Sequence, residues 1–240
     1  MNLLECRHLT KRFGALIAVG DVSLTVRPGE ILGVIGPNGS GKTTLFNLMA
    51  GIFHPDSGEV LLRGQNVSGM PPHRICRLGM TKTSQVVQPF HEMSVFENIL
   101  VAALYGRRRS TSAARDEVER VLNFVGLERL QDEPARKISF LGRRRLELAR
   151  ALATGAEILL LDEVMAGLTP AEVEETLNLL RKIQSRGCTL LLVEHVMRAI
   201  MGISERILVL HHGEKIAEGT PKEISRQPKV ITAYLGDRYA

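Results

Sequence analysis

Short apolar runs separated by turn residues fill the first 65 residues of the chain. The segments LLECRHLT, DVSLTV and EILGVIG have the composition of strands, and the turn sequences PG and HPDSGE lie between or after them. One helix is predicted to begin near Lys42. The pattern therefore predicts a strand-rich N-terminal part.

The spacing of apolar residues changes to a helical period between about residues 92 and 155. The segment SVFENILVAALYG comes first, ARDEVERVLNFVGL follows a polar RRRSTS loop, and a third helical run starts after ISFLG. This part is predicted to be a helical insertion.

After the insertion, strands and helices alternate. EILLLDE and TLLLVEH are unbroken apolar runs, which are typical of parallel strands covered on both faces. Between them, Thr169 is a predicted N-cap, Pro170 the first helical residue, Glu172 the partner in a capping box, and Gly187 the helix stop. The segment RILVLHHGEKIAEG predicts a hairpin, and a short helix follows Pro221.

Together these patterns predict an α/β fold with a parallel central sheet, an antiparallel N-terminal part and a helical insertion. The length of 240 residues suits one large domain, and 44% hydrophobic and 24% charged residues are typical of a folded globular protein. The longest apolar runs are far shorter than the roughly 20 residues that span a bilayer. No secretory signal is evident, so a cytosolic protein is expected.

Charge and cysteine content add little to this picture. The formal net charge of +5 is compatible with contact to nucleic acid or to an anionic membrane, or simply with solubility. Cys6, Cys76 and Cys188 are odd in number and lack the paired spacing of a metal site, which predicts reduced packing residues.

A phosphate-binding motif follows the strand EILGVI. The sequence GPNGSGKTT matches the G-x-x-x-x-G-K-[ST] pattern. Its glycines allow the loop to curl, so that backbone N–H groups face phosphate oxygens at a helix N-terminus. Lys42 is predicted to contact the β- and γ-phosphates, and Thr43 to bind magnesium. The predicted nucleotide-binding residues of this loop are Gly36, Pro37, Asn38, Gly39, Ser40, Gly41, Lys42, Thr43 and Thr44.

An acidic pair, Asp162 and Glu163, ends the buried strand EILLLDE. Ligands of open parallel sheets bind at the carboxyl ends of strands, which places this pair near the phosphate loop. Asp162 is predicted to hold magnesium directly or through water. Glu163 is predicted to align or deprotonate the water that attacks the γ-phosphate.

Over essentially its whole length the chain resembles the ATP-binding subunits of ABC transporters. The resemblance implies that Phe13 stacks on adenine and that Gln85, in TKTSQVVQPF, senses magnesium and the γ-phosphate as a metal-site and catalytic residue. It also implies that His195, in LLLVEHVM, is the catalytic switch histidine. ISFLG occupies the position of the family's signature motif, in which Ser139 would contact the nucleotide of a partner subunit.

The same resemblance implies a P-loop NTPase of the ABC ATPase cassette type, with ATP and Mg²⁺ as cofactors. A single domain over 1–240 would comprise a RecA-like core with an antiparallel β subdomain at 1–85 and 156–240, and a helical signature subdomain at 86–155. The implied partners are a second ATPase subunit, in a homodimer or a heterodimer, and two transmembrane permease subunits. An extracytoplasmic solute-binding protein would act indirectly, and no nucleic-acid partner is expected.

Several segments, including AGLTPAE, the run from VEHVM to TPKEI, and the ending ITAYLG, more narrowly resemble the ATPase subunits of branched-chain amino-acid importers. Related subunits serve urea and short-amide uptake, and the sequence does not separate these solutes. The resemblance implies an ATPase that powers uptake from the cytoplasmic face of the membrane. There, ATP binding would close a dimer and hydrolysis would reset it.

The signature motif departs from the family pattern Leu-Ser-Gly-Gly-Gln. Ser139 is present, but Phe140 and Leu141 replace both glycines, and Gly142 replaces the glutamine. An isobutyl group thus stands where close backbone approach to phosphate is expected. The hypothesis that follows is a heterodimer in which one of two nucleotide sites is slow. Val164 in place of the usual proline and Thr169 in place of the common aspartate are two smaller departures.

Two other functions remain open at this point. Arginine triplets at 107–109 and 143–145 are compatible with a soluble ABC ATPase that acts on nucleic acid or ribosomes, although the chain has neither a second cassette nor a long coiled-coil insertion. The altered signature is compatible with a weakly hydrolysing regulator. Residues 86–105 are a candidate surface for docking to the permeases, with packing inside the insertion as the alternative.

Overall fold

A computed structural model describes residues 2–84, 88–107 and 110–235. The strands are β1 Leu4–Phe13, β2 Leu16–Val26, β3 Ile31–Ile35, β4 Ser57–Leu62, β5 Gln65–Asn66, β6 Met80–Lys82, β7 Ile158–Asp162, β8 Thr189–Val193, β9 Arg206–His211 and β10 Glu214–Gly219. The helices are α1 Lys42–Met49, α2 Pro72–Arg77, α3 Val95–Tyr105, α4 Thr111–Val125, α5 Phe140–Ala153, α6 Pro170–Ser185, α7 Met197–Ile203, α8 Pro221–Ile224 and α9 Pro228–Leu235, with a 3₁₀ turn at Glu128–Leu130.

An antiparallel sheet in the order β2-β1-β4-β5 forms the N-terminal part. β1 pairs with β2 from Leu4 opposite Val26 to Phe13 opposite Leu16, through a tight connection of two residues. Both strands alternate between buried and more exposed positions along much of their length, because only one face of this sheet covers the core. The predicted antiparallel β subdomain is therefore present.

The central sheet has the order β10-β9-β3-β8-β7-β6. Its inner pairs, β9 with β3, β3 with β8, β8 with β7 and β7 with β6, are all parallel, and β10 joins as the antiparallel arm of a hairpin. Every residue of β3, β7 and β8 is buried. The apolar runs that predicted these strands are continuous because helices or the second sheet cover both faces.

The helical insertion consists of α3, α4 and α5, which pack on one another. Ser94 and Glu97 form a reciprocal capping box at the start of α3, and the Ser110 hydroxyl accepts the Ala113 N–H at the start of α4. Among the described residues no helix is long and apolar enough to cross a membrane.

The signals at the start of α6 act as predicted. Thr169 is the N-cap, Pro170 is the first residue, and the Glu172 carboxylate accepts both the Thr169 N–H and the Thr169 hydroxyl at 2.8 Å. The predicted β9–β10 hairpin and the helix after Pro221 are also present. The sequence did not predict α2 and α9, two helices of six and eight residues, or the strands β4, β5 and β6. β4 begins at Ser57, inside the HPDSGE segment that was predicted to be only a turn.

Candidate nucleotide site

An open cleft of about 460 Å³ lies at the carboxyl ends of the central strands. Residues from the phosphate loop, the acidic pair, the N-terminal sheet and the β9–β10 turn meet in it. The residues that line the cleft are Phe13, Leu16, Ile17, Ala18, Asn38, Gly39, Ser40, Gly41, Lys42, Thr43, Thr44, Glu163, His195 and His212.

Two glycines allow the loop between β3 and α1 to pack tightly. Gly41, immediately before α1, has a φ of 99°, and a Cβ placed on it would lie 2.2 Å from the Ala18 carbonyl oxygen. A Cβ on Gly36 would lie 2.1 Å from the Leu210 carbonyl oxygen. Backbone from two other strands thus touches the loop, which is why a side chain is excluded at both positions.

Lys42 begins α1, and its side chain points back into the loop. The ammonium group donates to the Gly36 carbonyl at 2.8 Å, to the Pro37 carbonyl at 2.9 Å and to the Ser40 hydroxyl at 3.4 Å. Burial lowers the pKa of Lys42, although the nearby carboxylates Glu163 and Asp162 oppose this effect. A polyanion in the cleft would likewise favour the charged form of the ammonium.

Asp162 ends β7 and is completely buried. Its Oδ2 lies 3.0 Å from the Lys82 ammonium. Within the described part of the chain neither carboxylate oxygen has a partner that meets hydrogen-bond geometry, so the Lys82 contact is a charge interaction rather than a formed hydrogen bond. A buried carboxylate with unused acceptor capacity beside a cation is suited to holding a second cation.

Glu163 and His195 form a pair at the edge of the cleft. Glu163 Oε1 lies 2.8 Å from His195 Nε2. The Glu163 backbone has a φ of 53°, and its N–H donates to the Val193 carbonyl at 2.8 Å. Glu163 thus adopts a left-handed backbone conformation directly after β7, and the residue lines the cleft.

Glu194 is a buried acid that no motif in the sequence indicated. Its Oε1 accepts the Met165 N–H at 2.8 Å, which holds the loop after Glu163. Burial, together with the charge of Glu163, raises the pKa of Glu194 to about 7. The available signal was its position directly after the buried strand β8, between that strand and His195.

Phe13 lies at the outer end of the cleft with 45% of its surface exposed. Its ring makes an edge contact with Phe53 at 5.4 Å between centroids, and Leu16 and Ile17 beside it are exposed as well. Leu16, Ile17, Ala18 and His212 also line the cleft, and no motif in the sequence predicted them. An exposed aromatic ring beside aliphatic side chains provides a surface on which a planar base can stack.

Ser139 does not line the cleft. It is the N-cap of α5, and its hydroxyl accepts the Gly142 N–H at 3.0 Å. Ser139 and Phe140 are exposed, while Leu141 is half-buried in the first turn of the helix. The structure therefore separates the signature residues from the cleft of the same subunit.

Gln85 lies outside the described residues, but α5 holds the backbone on both sides of it. The Glu147 carboxylate accepts the Ser84 N–H at 2.6 Å, and the Arg150 guanidinium donates to the Gln88 carbonyl at 3.1 Å. One turn earlier on α5, Arg144 donates to the Ala166 carbonyl at 3.3 Å in the loop after Glu163.

A family model described as ABC transporter matches residues 19–166, more than half of the chain. The chain belongs to the ABC transporter family. A second model, described as branched-chain amino acid ATP-binding cassette transporter, matches residues 214–240. As an ABC transporter ATP-binding cassette, the chain is an ATPase subunit, as its motifs predicted.

Relatives and solved structures agree with this assignment. The chain is 42% identical to the Escherichia coli K12 high-affinity branched-chain amino acid transport ATP-binding protein LivG, with 98% of each chain covered. It is 37% identical to the Acidithiobacillus ferridurans lipopolysaccharide export system ATP-binding protein LptB, covering 99% of this chain and 98% of the relative. A crystal structure of a nucleotide-free ABC transporter cassette superimposes with a TM-score of 0.89 at 29% identity, over 99% of this chain and 100% of the other. The predicted fold class is confirmed.

Proposed function

We propose that the chain hydrolyses ATP in the cleft and thereby powers the uptake of branched-chain amino acids. One observation carries the proposal: the phosphate loop, Lys42, Glu163 and His195 all line a single cleft. A loop of inward-facing amides and an ammonium group bind phosphates, and a carboxylate paired with a histidine can orient water. Phe13 supplies the stacking surface for the adenine.

In this proposal Mg²⁺ is held by Asp162 and the Thr43 hydroxyl. Their chemistry suits the ion, because magnesium prefers oxygen ligands and Asp162 has both oxygens available for more than its contact with Lys82. Magnesium bound there would neutralise negative charge on the β- and γ-phosphates during transfer. Gln85 is proposed as a further contact to the metal and to the attacking water.

Glu163 is proposed to accept a proton from the attacking water or to align it, and His195 to hold Glu163 in position. The 2.8 Å contact between Glu163 and His195 supports these roles, since it restricts the carboxylate to one orientation. Lys42 would then stabilise the charge that develops on the γ-phosphate.

The cassette is proposed to work as a dimer, either with a copy of itself or with a second ATPase subunit. Ser139 is exposed at an N-terminal helix end and lies away from the cleft of its own subunit. We therefore propose that the N-terminal end of α5 contacts the γ-phosphate of a nucleotide bound by the partner subunit. Closure around two nucleotides and reopening after hydrolysis would move attached permease subunits.

Branched-chain amino acids are proposed as the solutes because LivG of E. coli and BraF of Pseudomonas aeruginosa, at 42% and 40% identity, are named for that transport. The match of residues 214–240 to a branched-chain cassette model adds support from a separate segment. LptB, a similar relative named for lipopolysaccharide export, has a different role. The C-terminal match therefore favours amino-acid transport over export.

Two permease subunits are proposed to dock on the insertion, which would place the chain on the cytoplasmic face of the membrane. Of the candidate surface at 86–105, the structure buries Val95, Ile99 and Ala103 in the core and leaves Phe90 and Tyr105 exposed. Packing thus explains most apolar residues of α3. The docking proposal now rests on the exposed aromatic residues and on Glu92, which pairs with Arg136 at 3.2 Å.

The proposal is tested by nucleotide binding and by hydrolysis in the assembled complex. Lys42→Ala should weaken Mg-ATP binding at least ~10-fold, because a buried charge that faces phosphate is lost. Glu163→Gln should keep binding and lower turnover ~100-fold or more. Lys222→Ala and Glu174→Gln, on exposed parts of α8 and α6, are matched controls. Unchanged affinity in Lys42→Ala would refute the assignment of the cleft.

The solute is tested separately. Leucine, isoleucine or valine, presented with the permeases and a solute-binding protein, should stimulate ATP hydrolysis. Stimulation by urea or a short amide instead would support the ATPase assignment but would replace branched-chain amino acids as the proposed solutes. Tight, salt-sensitive binding of nucleic acid by the isolated chain would instead favour a soluble ABC ATPase that acts on nucleic acid or ribosomes.

A further inference from the structure

Lys82 places a positive charge beside the carboxylate that the proposed function assigns to magnesium. It ends β6, and Asp162 ends the neighbouring parallel strand β7. The Lys82 ammonium lies 3.0 Å from Asp162 Oδ2. Asp162 is fully buried and only 12% of the Lys82 side chain is exposed, so water and salt screen the two charges weakly. A cation of the protein itself therefore lies against Asp162.

The backbone around this pair is fixed, whereas the ammonium is held on Asp162 by charge alone. The Asp162 N–H donates to the Thr83 hydroxyl at 3.3 Å, and the Thr83 N–H donates to the Leu160 carbonyl at 2.9 Å. Among the residues that the structure describes, no hydrogen bond reaches either Asp162 oxygen. Because a lysine ammonium sits on a flexible chain of carbons, it can leave Asp162 without any movement of β6.

A divalent ion on Asp162 would compete with this ammonium. Both cations need the same carboxylate, and two positive charges a few ångströms apart repel each other far more strongly in a buried site than in water. Magnesium also requires a near-octahedral shell of oxygen ligands, which an ammonium group against one of those oxygens obstructs. Metal binding therefore favours a position of the Lys82 ammonium away from Asp162.

Lys82 also lines a small cavity that contains a second acid. The cavity has a volume of about 170 Å³, and Ser84, Glu147 and Arg150 are among its other lining residues. Glu147 is buried and accepts the Ser84 N–H through Oε1 at 2.6 Å, while its Oε2 has no hydrogen bond within the described residues and lies 3.8 Å from Arg144. Burial raises the pKa of Glu147, although the Ser84 N–H and the nearby positive charges oppose this effect. A cation that moved closer would stabilise the ionised carboxylate.

We propose that Lys82 competes with the magnesium ion: its ammonium contacts Asp162 in the nucleotide-free chain and moves into the cavity beside Glu147 when the metal binds. The inference rests on the proposed function, because it assumes that Asp162 holds Mg²⁺. Lys82 is thus a positioning residue that acts through Asp162. It keeps a buried acid neutralised when no nucleotide is present, and it does so at the expense of metal affinity.

Lys82→Met tests the competition, because it keeps most of the side-chain volume and removes the charge. Mn²⁺ replaces Mg²⁺, since unbound Mn²⁺ is measured by electron paramagnetic resonance, and ADP is used because it is not hydrolysed. At saturating ADP the full-length variant should bind Mn²⁺ about 10-fold more tightly than the original protein, an effect between those typical of exposed and of buried ion pairs. Lys82→Arg keeps the charge and should stay within about threefold of the original. Lys182→Met, at an exposed position of α6, is the matched control and should leave Mn²⁺ affinity unchanged.

Melting temperature gives a second readout. Lys82→Met leaves Asp162 buried without a counter-ion, so in EDTA it should melt at a lower temperature than the original protein. Mn²⁺ with ADP should narrow this difference, because the metal then neutralises Asp162 in both proteins. If Lys82→Met does not fold, Lys82→Gln, which keeps a donor for Asp162 without the charge, should show the same tighter binding of Mn²⁺.

Glu147→Gln tests the second position of the ammonium. Glutamine keeps an acceptor for the Ser84 N–H and removes the negative charge, so Mn²⁺ affinity should fall about threefold. The fall should disappear in the Lys82→Met background, because no ammonium is then left to move. A fall of the same size in that background would overturn the proposed movement towards Glu147.

A purely structural ion pair between Lys82 and Asp162 predicts a different set of results. Mn²⁺ binding by Lys82→Met would be unchanged or weaker, and the melting difference from the original protein would be equal in EDTA and in Mn²⁺ with ADP. Either result would overturn the inference while leaving the proposed function intact. If the original protein binds ADP but does not retain Mn²⁺ with it, the metal assignment in the proposed function fails, and this inference fails with it.

Discussion

Two acidic side chains near the cleft, Glu163 and Glu194, are held in different ways. Glu163 faces the cleft and contacts His195, whereas Glu194 is 97% removed from solvent, with a relative exposure of 3%, and accepts the Met165 N–H. Burial opposes ionisation of Glu194 and raises its pKa to about 7. For Glu194, burial in the fold therefore decides the pH at which the side chain becomes charged.

Glu194 is expected to make stability fall as pH rises. Its pKa is higher in the folded chain than the ordinary value of 4.5, so the folded state binds more protons between pH 4.5 and about 7. The destabilisation of the folded state that comes from ionising Glu194 is absent below pH 4.5 and complete above about pH 7. Glu194→Gln should therefore match the original protein near pH 4.5 and exceed its unfolding free energy at pH 8 by up to roughly 3 kcal/mol.

Thermal or denaturant unfolding from pH 4.5 to 8 measures this difference. Glu174→Gln, on the exposed face of α6, is the control and should show no such divergence. A constant difference between Glu194→Gln and the original protein across this range would show that Glu194 ionises normally.

At the scale of elements, a single buried amide organises the start of the helical insertion. Asn98 of α3 has no exposed surface. Its Oδ1 accepts the Phe90 N–H at 2.8 Å, and its Nδ2 donates to the carbonyls of Phe90, Met93 and Ser94 at 2.9 to 3.2 Å. The loop that bears Phe90 and Glu92 is thereby attached to the helix.

Asn98→Ala should lower the free energy of unfolding by about 1–3 kcal/mol, because it removes every hydrogen bond of a fully buried amide and leaves the Phe90 N–H without its partner. Asn123→Ala is the matched control. Asn123 is exposed on α4 and donates one bond, to the Glu119 carbonyl at 3.0 Å, so its loss should cost less than about 0.5 kcal/mol. Equal melting temperatures for the two variants would contradict this role for Asn98.

Elements with strong local signals were predicted from the sequence. β7, β8 and the Thr169 capping box followed from continuous apolar runs and from cap chemistry. Helix α2 has only six residues and α9 eight, too few turns for a periodic pattern to stand out, and both were missed. Glu194 was missed for another reason: the backbone N–H that it binds belongs to Met165, 29 residues away in the sequence, so no local pattern reveals the contact.

At the scale of the whole molecule, the candidate nucleotide cleft and the N-terminal end of α5 are separate surfaces. Motif order predicted that the phosphate loop, Glu163 and His195 would meet, and the cleft brings them together. The sequence did not predict how α5 reaches the loops around Gln85 and Ala166, because those contacts come from side chains of an amphipathic helix. A dimer is proposed to bring the two surfaces face to face.

Leu141→Gly tests the altered signature in the assembled complex. If the isobutyl group obstructs a partner's phosphate, its removal should raise ATP turnover at least about threefold, since preorganised donors contribute 10²-fold or more when well placed. The glycine should also cost about 0.5–1 kcal/mol of stability in the first turn of α5. Leu141→Ala, which retains helix propensity, should give an intermediate rate. Unchanged turnover in both variants would show that the substitution is silent.

The contacts of α5 have a mechanical consequence. Its 14 residues form a rod about 21 Å long. Arg144, Glu147 and Arg150 follow one another at three-residue spacing on this helix and bind the backbone of two loops, the one that contains Gln85 and the one after Glu163. Because one helix binds both loops, a change in the tilt of α5 is expected to act on both of them at once.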